Sequence, residues 1–149
     1  MTVSDATGAA AGAGAGAVAA GGVAPGAVIG VGTDLVDVAR FEAILDRRPG
    51  LADRLFSAVE LAYASGLARP APTLAGRFAV KEAVMKTLGV GLGAVDWADI
   101  SVARLPGGRP DLTVGGRAAR LAGEMGVRNW FVSISHTDTV ASAVVVAVG

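Results

Sequence analysis

Two separated stretches of the sequence hold carboxylates placed for metal chemistry. Asp34 follows a short apolar run that contains two glycines. Glu82 and Lys86 are spaced as neighbours on one turn of a helix. Mg²⁺ in proteins takes one or two carboxylates and completes its shell with water and phosphate oxygens. An Asp and a Glu on separate elements, with a lysine beside the Glu, therefore suit a Mg²⁺ site shared with substrate phosphates.

A third stretch ends in His136, the single histidine of the chain. Ser133 and Ser135 precede it and Thr137 follows it, which places several phosphate-sized hydrogen-bond donors at the end of a strand pattern. Structural interpretations stay open beside the functional ones. A lone histidine is more often structural than catalytic, and Asp34 is also suited to be a helix N-cap.

The lysines give the strongest compositional signal. Lysine and arginine together number 13, yet the only two lysines, Lys81 and Lys86, flank Glu82. Lysine offers a compact ammonium that acts as a point charge on phosphate, which arginine does not. The alternative is an ordinary pair of Glu82 and Lys86 on a solvated helix face.

The helix that carries these charges is predicted over residues 74–88. Apolar side chains fall on nearly every side of it, and such a helix is expected to be buried. Thr73 is placed to cap its N-terminus, and Gly89 stands where a C-terminal stop belongs. Charges on a buried helix need a partner, a metal or a ligand.

The remaining pattern predicts an α+β fold, with an antiparallel sheet and the central buried helix packed on it. Strands are predicted near residues 28–31, 100–104, 111–114, 130–135 and 140–148. Further helices are predicted over 40–48, over 118–125, and after a capping box formed by Ser57 and Glu60.

The length and the net charge of the chain limit the classes of protein to which it can belong. The chain has 149 residues, enough for one domain, and a formal net charge of zero. We therefore expect no broad electrostatic contact with nucleic acid. The sequence contains no cysteine, which excludes disulfides, thiolate metal sites and a cysteine nucleophile.

Residues 1–26 are predicted to be a disordered Ala/Gly-rich tail, dispensable for chemistry, and residues 27–149 the folded domain. Dense glycine costs backbone entropy that alanine side chains cannot offset. No Lys or Arg precedes Arg40, so the basic region of a signal peptide is missing. The uncharged stretch is Ala and Gly rather than Leu, Ile and Phe, so no membrane role is expected. We expect a cytoplasmic protein.

Three motifs follow one another along the folded part. They are Ile29-Gly30-Val31-Gly32-Thr33-Asp34-Leu35-Val36, Phe78-Ala79-Val80-Lys81-Glu82-Ala83 with Lys86, and Val132-Ser133-Ile134-Ser135-His136-Thr137. In this order and spacing they resemble the holo-[acyl-carrier-protein] synthases, the small 4'-phosphopantetheinyl transferases of the carrier-protein-synthase type. The resemblance covers about residues 27–149, and Gly108-Arg109-Pro110 also resembles the Gly-x-Pro turn of that family.

The resemblance implies the 4'-phosphopantetheinyl transferase fold and a Mg²⁺-dependent reaction that supports fatty acid biosynthesis. In it, 4'-phosphopantetheine passes from coenzyme A to a serine of apo acyl carrier protein, and adenosine 3',5'-bisphosphate is released. Members of this family are usually homotrimers with active sites between subunits. The implied partners are therefore coenzyme A, the carrier protein and two further copies of the chain.

The resemblance also implies roles for individual residues. Asp34 and Glu82 would hold Mg²⁺, and Lys86 would neutralise charge on the transferred phosphoryl group. Glu82 and Lys86 are thus the catalytic candidates. The residues that would contact the nucleotide phosphates are Arg77, Lys86, His136 and Thr137. Arg40 would lie in the helix that receives the acidic carrier protein.

The chemistry agrees with the interpretation from the residues, because phosphoryl transfer relies on positioning and charge neutralisation rather than a covalent nucleophile. Glu82, another carboxylate or metal-bound water could deprotonate the serine. Two other functions are left open. One is a binding module that holds a nucleotide or carrier protein without turnover, and the other is a Mg²⁺-dependent phosphohydrolase.

Overall fold

The computed structural model describes residues 24–149. In chain order the elements are β1 (Val28–Asp37), α1 (Val38–Arg47), α2 (Leu51–Leu55), α3 (Ala58–Ser65), α4 (Ala71–Thr87), a 3-10 helix (Trp97–Asp99), β2 (Ile100–Arg104), β3 (Pro110–Val114), α5 (Gly116–Glu124), β4 (Asn129–His136) and β5 (Val140–Val148). The mixed α and antiparallel β architecture confirms the predicted α+β class.

Most of the predicted tail, residues 1–23, lies outside the described residues. Pro25 and Gly26 form an exposed turn, and the Gly26 amide donates to the Gly149 carbonyl at 2.6 Å. Among residues 24–149, no helix combines the length and the apolar character needed to cross a membrane.

The strands form two antiparallel sheets rather than the single sheet predicted. β5 lies between β1 and β4 in a three-stranded sheet, while β2 and β3 form a separate hairpin. β1 also extends past its predicted end at residue 31, because it pairs with β5 as far as Asp37 opposite Val140. Asp34 is therefore a strand residue, paired with Ala143. Asp37, not Asp34, caps α1, since its carboxylate accepts from the Arg40 amide at 2.7 Å.

Helix α4 packs against the three-stranded sheet, and most of its residues are buried, as the sequence predicts. Its start differs from the prediction, because Pro70 rather than Thr73 is the N-cap and Pro72 lies in the first turn. Proline suits this place since its missing N–H would have no partner there. Gly89 follows the helix at φ +67°, the left-handed conformation that ends helices.

Two glycines of β1 allow the backbone of α4 to lie directly against the strand. A methyl group added at Gly32 would overlap the carbonyl oxygen of Ala83, and one added at Gly30 would lie 2.8 Å from the carbonyl oxygen of Thr87. Both obstacles are main-chain atoms of the helix, which cannot swing away as a flexible side chain could. These glycines therefore determine how closely Asp34 approaches α4.

We expect Gly32→Ala to lower the free energy of unfolding by about 3 kcal/mol, the upper end of the usual cost of overpacking a core. Gly91→Ala is the matched control, since a methyl group there would have nothing within 4 Å. Denaturant unfolding of both variants measures the difference. A Gly32→Ala variant as stable as Gly91→Ala would mean that α4 can move off β1 at no cost.

Candidate active site

Asp34 and Glu82 face one cavity between β1 and α4. The cavity is also lined by Asp37, Arg40, Phe41, Ile44 and Phe78. The pKa of Glu82 is raised above its ordinary value, first by burial and second by the negative charge of Asp34, while Lys86 acts in the opposite direction. Two carboxylates held in this way favour a bound cation, because a cation would stabilise both in their ionised form.

Lys86 reaches across from α4 to β1. Its ammonium donates to Asp34 Oδ1 at 2.8 Å and to the Thr33 carbonyl oxygen at 2.9 Å. The Lys86 side chain is 52% exposed and that of Asp34 16%. The alternative of an ordinary ion pair between Glu82 and Lys86 is therefore wrong about the partner, since the salt bridge joins Lys86 to Asp34. Lysine, metal and substrate phosphate would meet at the same carboxylate.

The donor set of this cavity fits Mg²⁺. Within residues 24–149, no group of three or more His, Cys, Asp or Glu side chains is placed to hold a metal ion by itself. Mg²⁺ does not need such a cage, because it commonly binds one or two carboxylates together with water and substrate phosphates. Asp34 and Glu82 meet that requirement, and a phosphate substrate would supply the remaining oxygens.

A second cavity, the arginine-rich cavity, is lined by Arg77, Arg104 and His136, and no acidic side chain is among the described residues that line it. Arg104 donates to the hydroxyl of Tyr63 at 2.6 Å. The guanidinium of Arg77 lies over the same ring, 4.7 Å from its centroid, where the face of the ring attracts it. Two guanidiniums and an imidazole around one opening are suited to an anion such as a phosphate group.

Arg77 is itself almost fully buried, with 6% of its surface exposed. Its Nε donates to the carbonyl oxygen of Val102 at 3.2 Å. The pKa of Arg77 is lowered, mainly by burial, although the nearby Glu60 carboxylate opposes this effect. The guanidinium is thus held in place by the protein before any ligand arrives.

The predicted cluster of donors around His136 is divided by the strand. Successive side chains of a strand point to opposite faces, so Ser133 and Ser135 lie on the face opposite His136. Thr137 does not line the arginine-rich cavity; its hydroxyl accepts from the Val140 amide at 3.1 Å, within the turn between β4 and β5. A contact from Thr137 to a nucleotide phosphate stays a prediction.

Comparison with known proteins shows the family of the chain. Residues 30–147 match the family model described as the 4'-phosphopantetheinyl transferase superfamily. The holo-[acyl-carrier-protein] synthase of Streptomyces avermitilis is 52% identical over 122 residues, which cover 82% of this chain and 98% of that protein. The chain belongs to the holo-[acyl-carrier-protein] synthase family.

Solved structures of holo-[acyl-carrier-protein] synthases share the fold. The enzyme of Neisseria meningitidis superposes with a TM-score of 0.73 at 30% identity, over 81% of this chain and 98% of that one. The Bacillus anthracis enzyme, in complex with CoA (3',5'-ADP), has a TM-score of 0.68 at 32% identity, over 81% and 96% of the two chains. The predicted phosphopantetheinyl transferase fold is confirmed.

Three features of this family member were not predicted from its sequence. The sequence around Tyr63 and Arg104 contains no pattern that predicts their position beside Arg77. Glu60 was predicted only as part of a capping box, yet it also forms a fully buried salt bridge with Lys81 at 3.0 Å. The one available signal was a lysine on a helix predicted to be buried, because such a charge needs a partner.

Proposed function

We propose that the protein transfers 4'-phosphopantetheine from coenzyme A to a serine of apo acyl carrier protein, with Mg²⁺, and releases adenosine 3',5'-bisphosphate. One observation carries the proposal: α4 presents Glu82 to the cavity that Asp34 lines, Lys86 to the Asp34 carboxylate, and Arg77 to the arginine-rich cavity. A substrate with phosphates at two positions, such as coenzyme A, suits this pair of cavities. The complex of the Bacillus anthracis synthase with CoA (3',5'-ADP) supports this choice of substrate.

The proposed mechanism divides the work between the two cavities. Arg77, Arg104 and His136 bind the nucleotide phosphates and fix the leaving half of coenzyme A. Asp34 and Glu82 would hold Mg²⁺, which would supply neutralisation of charge on the pyrophosphate. Lys86 adds a positive charge beside the transferring phosphoryl group.

In the reaction, the serine oxygen bonds to the phosphorus that carries pantetheine, and the bond from that phosphorus to the bridging oxygen of adenosine 3',5'-bisphosphate breaks. The serine proton leaves as the new bond forms. Glu82 or another carboxylate that lines the cavity would accept it.

Incubation of the protein with coenzyme A, Mg²⁺ and apo carrier protein tests this proposal against its alternatives. Mass spectrometry of the carrier and of the nucleotide products distinguishes three outcomes. A carrier heavier by phosphopantetheine supports the transferase. Hydrolysed coenzyme A with an unmodified carrier would indicate a phosphohydrolase, and no change in either would indicate a binding module.

The carrier protein is proposed to dock on α1. Arg40 lines the same cavity as Asp34 and Glu82, so a partner bound at α1 would bring its serine to the carboxylates. Arg47 and Arg48 are exposed at the other end of the helix. These exposed arginines can pair with the acids of a partner, while Glu42 and Asp46 leave α1 itself without net positive charge. By resemblance to the family, we propose a cytoplasmic role in fatty acid biosynthesis.

We also propose that the protein is a homotrimer. The face of the three-stranded sheet that points away from α4 exposes Val31 (56%), Leu35 (70%) and Phe131 (62%). The register aligns Val31 and Phe131 on either side of Val146, so the apolar side chains form a continuous row. Exposed apolar patches of this kind indicate contact with another protein. Leu35 also borders Asp34 and Lys86, which supports a site completed by a second subunit.

Leu35→Asp is expected to convert the trimer to monomers and to abolish most turnover, because a carboxylate would have to be desolvated at the subunit contact. Val59→Asp is the matched control, since Val59 is 61% exposed on α3 and away from the sheet. Light scattering after size exclusion measures the assembly. A parent protein that is monomeric and fully active would contradict the proposal.

A further inference from the structure

The hairpin of β2 and β3 is attached to the rest of the domain in an unusual way. It shares no hydrogen-bonded ladder with the three-stranded sheet. One edge of β2 pairs with β3, from Ile100 opposite Val114 to Arg104 opposite Pro110. Among residues 24–149, no strand lies beside the other edge. Backbone groups on such an edge need other partners when they are buried.

Three charged side chains take the place of the missing strand. The Val102 amide donates to Glu60 Oε1 at 3.0 Å, and the Val102 carbonyl oxygen accepts from Arg77 Nε at 3.2 Å. The Ile100 carbonyl oxygen accepts from the ammonium of Lys81. Consecutive groups on the free edge of β2 are thus bound by an acid from α3 and two bases from α4.

Glu60 and Lys81 are the centre of this arrangement. Both side chains have no solvent exposure, and they form a salt bridge of 3.0 Å. Glu60 Oε2 also accepts from the Ser57 amide at 2.9 Å, and the Lys81 ammonium also donates to the Trp97 carbonyl oxygen at 3.2 Å. The pair therefore ties α3, α4, the 3-10 helix and β2 together.

The same hairpin forms one wall of the arginine-rich cavity. Arg104 lies at the end of β2, and Gly108 and Pro110 line the cavity from the turn and the start of β3. Arg77 lines it from α4. The distance across the cavity between the two arginines thus depends on how the hairpin sits against α4, and Glu60 and Lys81 hold that contact.

We propose that Glu60 and Lys81 are positioning residues for the nucleotide half of the substrate: the buried pair holds the hairpin at the spacing at which Arg77 and Arg104 act together on one phosphorylated ligand. The inference rests on the proposed function, since it takes the ligand of this cavity to be the nucleotide end of coenzyme A. Neither residue lines the cavity, so both act through the two arginines.

A charged pair is needed here because of the number of hydrogen bonds that it makes. Glu60 accepts three, from Ser57, Val102 and Lys81, through both of its oxygens. A glutamine would present one oxygen and one NH₂ group, and the NH₂ group would face a donor. Lys81 donates to two carbonyl oxygens as well as to Glu60. A neutral pair of similar shape can fill the space but cannot make all these bonds.

The test uses the full-length protein, adenosine 3',5'-bisphosphate as the probe, and steady-state kinetics with coenzyme A. Lys81→Met removes the ammonium, leaves Glu60 buried without its partner, and is expected to lower Tm. The double variant Glu60→Gln with Lys81→Met removes both charges of the pair, and its Tm should recover towards that of the parent. Val145→Ala, on the middle strand of the sheet, supplies a control with a lowered Tm.

In Lys81→Met and in the double variant, we expect the Kd of adenosine 3',5'-bisphosphate and the KM of coenzyme A to rise about 10-fold to 100-fold. A displacement of Arg104 relative to Arg77 by about 1 Å would have an effect of this size. Turnover at saturating coenzyme A should change by less than about threefold, because the other cavity is untouched. The double variant is decisive: its Tm recovers but its affinity does not. Val145→Ala should lose Tm and keep parental affinity.

A double variant with parental affinity for the nucleotide would overturn the inference and assign the pair to stability alone. A double variant that does not fold would also overturn it, because the pair would then hold the whole domain rather than the hairpin. Failure of the parent to bind adenosine 3',5'-bisphosphate would be a different result. It would remove the proposed function of the cavity, and the inference with it.

Discussion

Glu82→Gln is expected to reduce phosphopantetheine transfer by about a hundredfold or more while the fold stays intact. Partners that only orient a metal ligand already contribute up to about 100-fold to affinity or activity, and we propose that Glu82 is a ligand itself. Glutamine keeps the shape of the side chain and removes its charge. Mass spectrometry of the carrier protein over time measures the loss.

Two further measurements connect that loss to the metal. Mg²⁺ should raise the Tm of the parent, because a cation that binds only the folded state stabilises it, and this increase should vanish in Glu82→Gln. Without Mg²⁺ the variant should be at least as stable as the parent, since the half-buried carboxylate repelled by Asp34 is gone. Glu124→Gln is the control, because Glu124 forms a salt bridge with Arg120 on the surface of α5. A Glu82→Gln variant within about threefold of parental turnover would exclude the metal role, given that a ligand should cost about 100-fold.

Lys86→Met is expected to lower turnover by about a hundredfold, with little change in Tm. A charge directed at the transition state of a closed site commonly contributes about 3 kcal/mol or more. A salt bridge as exposed as that of Lys86 with Asp34 stabilises the fold by about 1 kcal/mol at most. Methionine keeps the apolar stem and removes only the ammonium. The large effect should therefore fall on the rate and not on stability.

The contact between Lys86 and Asp34 also predicts how Lys86→Met will change the affinity for Mg²⁺. Lys86 and Mg²⁺ would share the Asp34 carboxylate, so removing the ammonium should leave Mg²⁺ affinity unchanged or increase it. Titration calorimetry with Mg²⁺ measures this affinity. Arg120→Met is the matched control, because it also removes a surface cation from a salt bridge, in this case the one between Arg120 and Glu124 on α5. Lys86→Arg should restore only part of the rate, because the planar guanidinium presents its donors differently. Weaker Mg²⁺ binding in Lys86→Met with unchanged turnover at saturating Mg²⁺ would assign Lys86 to support of the metal site.

Local patterns in the sequence were enough to predict the elements and the kind of site. The apolar run over residues 74–88 predicted a buried helix, and α4 is one. Ser57 and Glu60 were predicted as a capping box, and both of its hydrogen bonds are present. The motifs around Asp34, Glu82 and His136 indicate phosphate chemistry by their residue types and spacing alone. These features depend on residues within a few positions of one another, where spacing along the chain determines geometry.

Partners across the fold were decided by the tertiary structure alone. Lys86 is four residues from Glu82, yet it bonds to Asp34, because Gly32 lets α4 lie against β1. Lys81 needed a partner, and only the packing of α3 against α4 and β2 shows that it is Glu60. The periodicity of a helix or strand determines which side chains share a face. It contains no information about which other element that face will meet, since that choice is made by the packing of the whole chain.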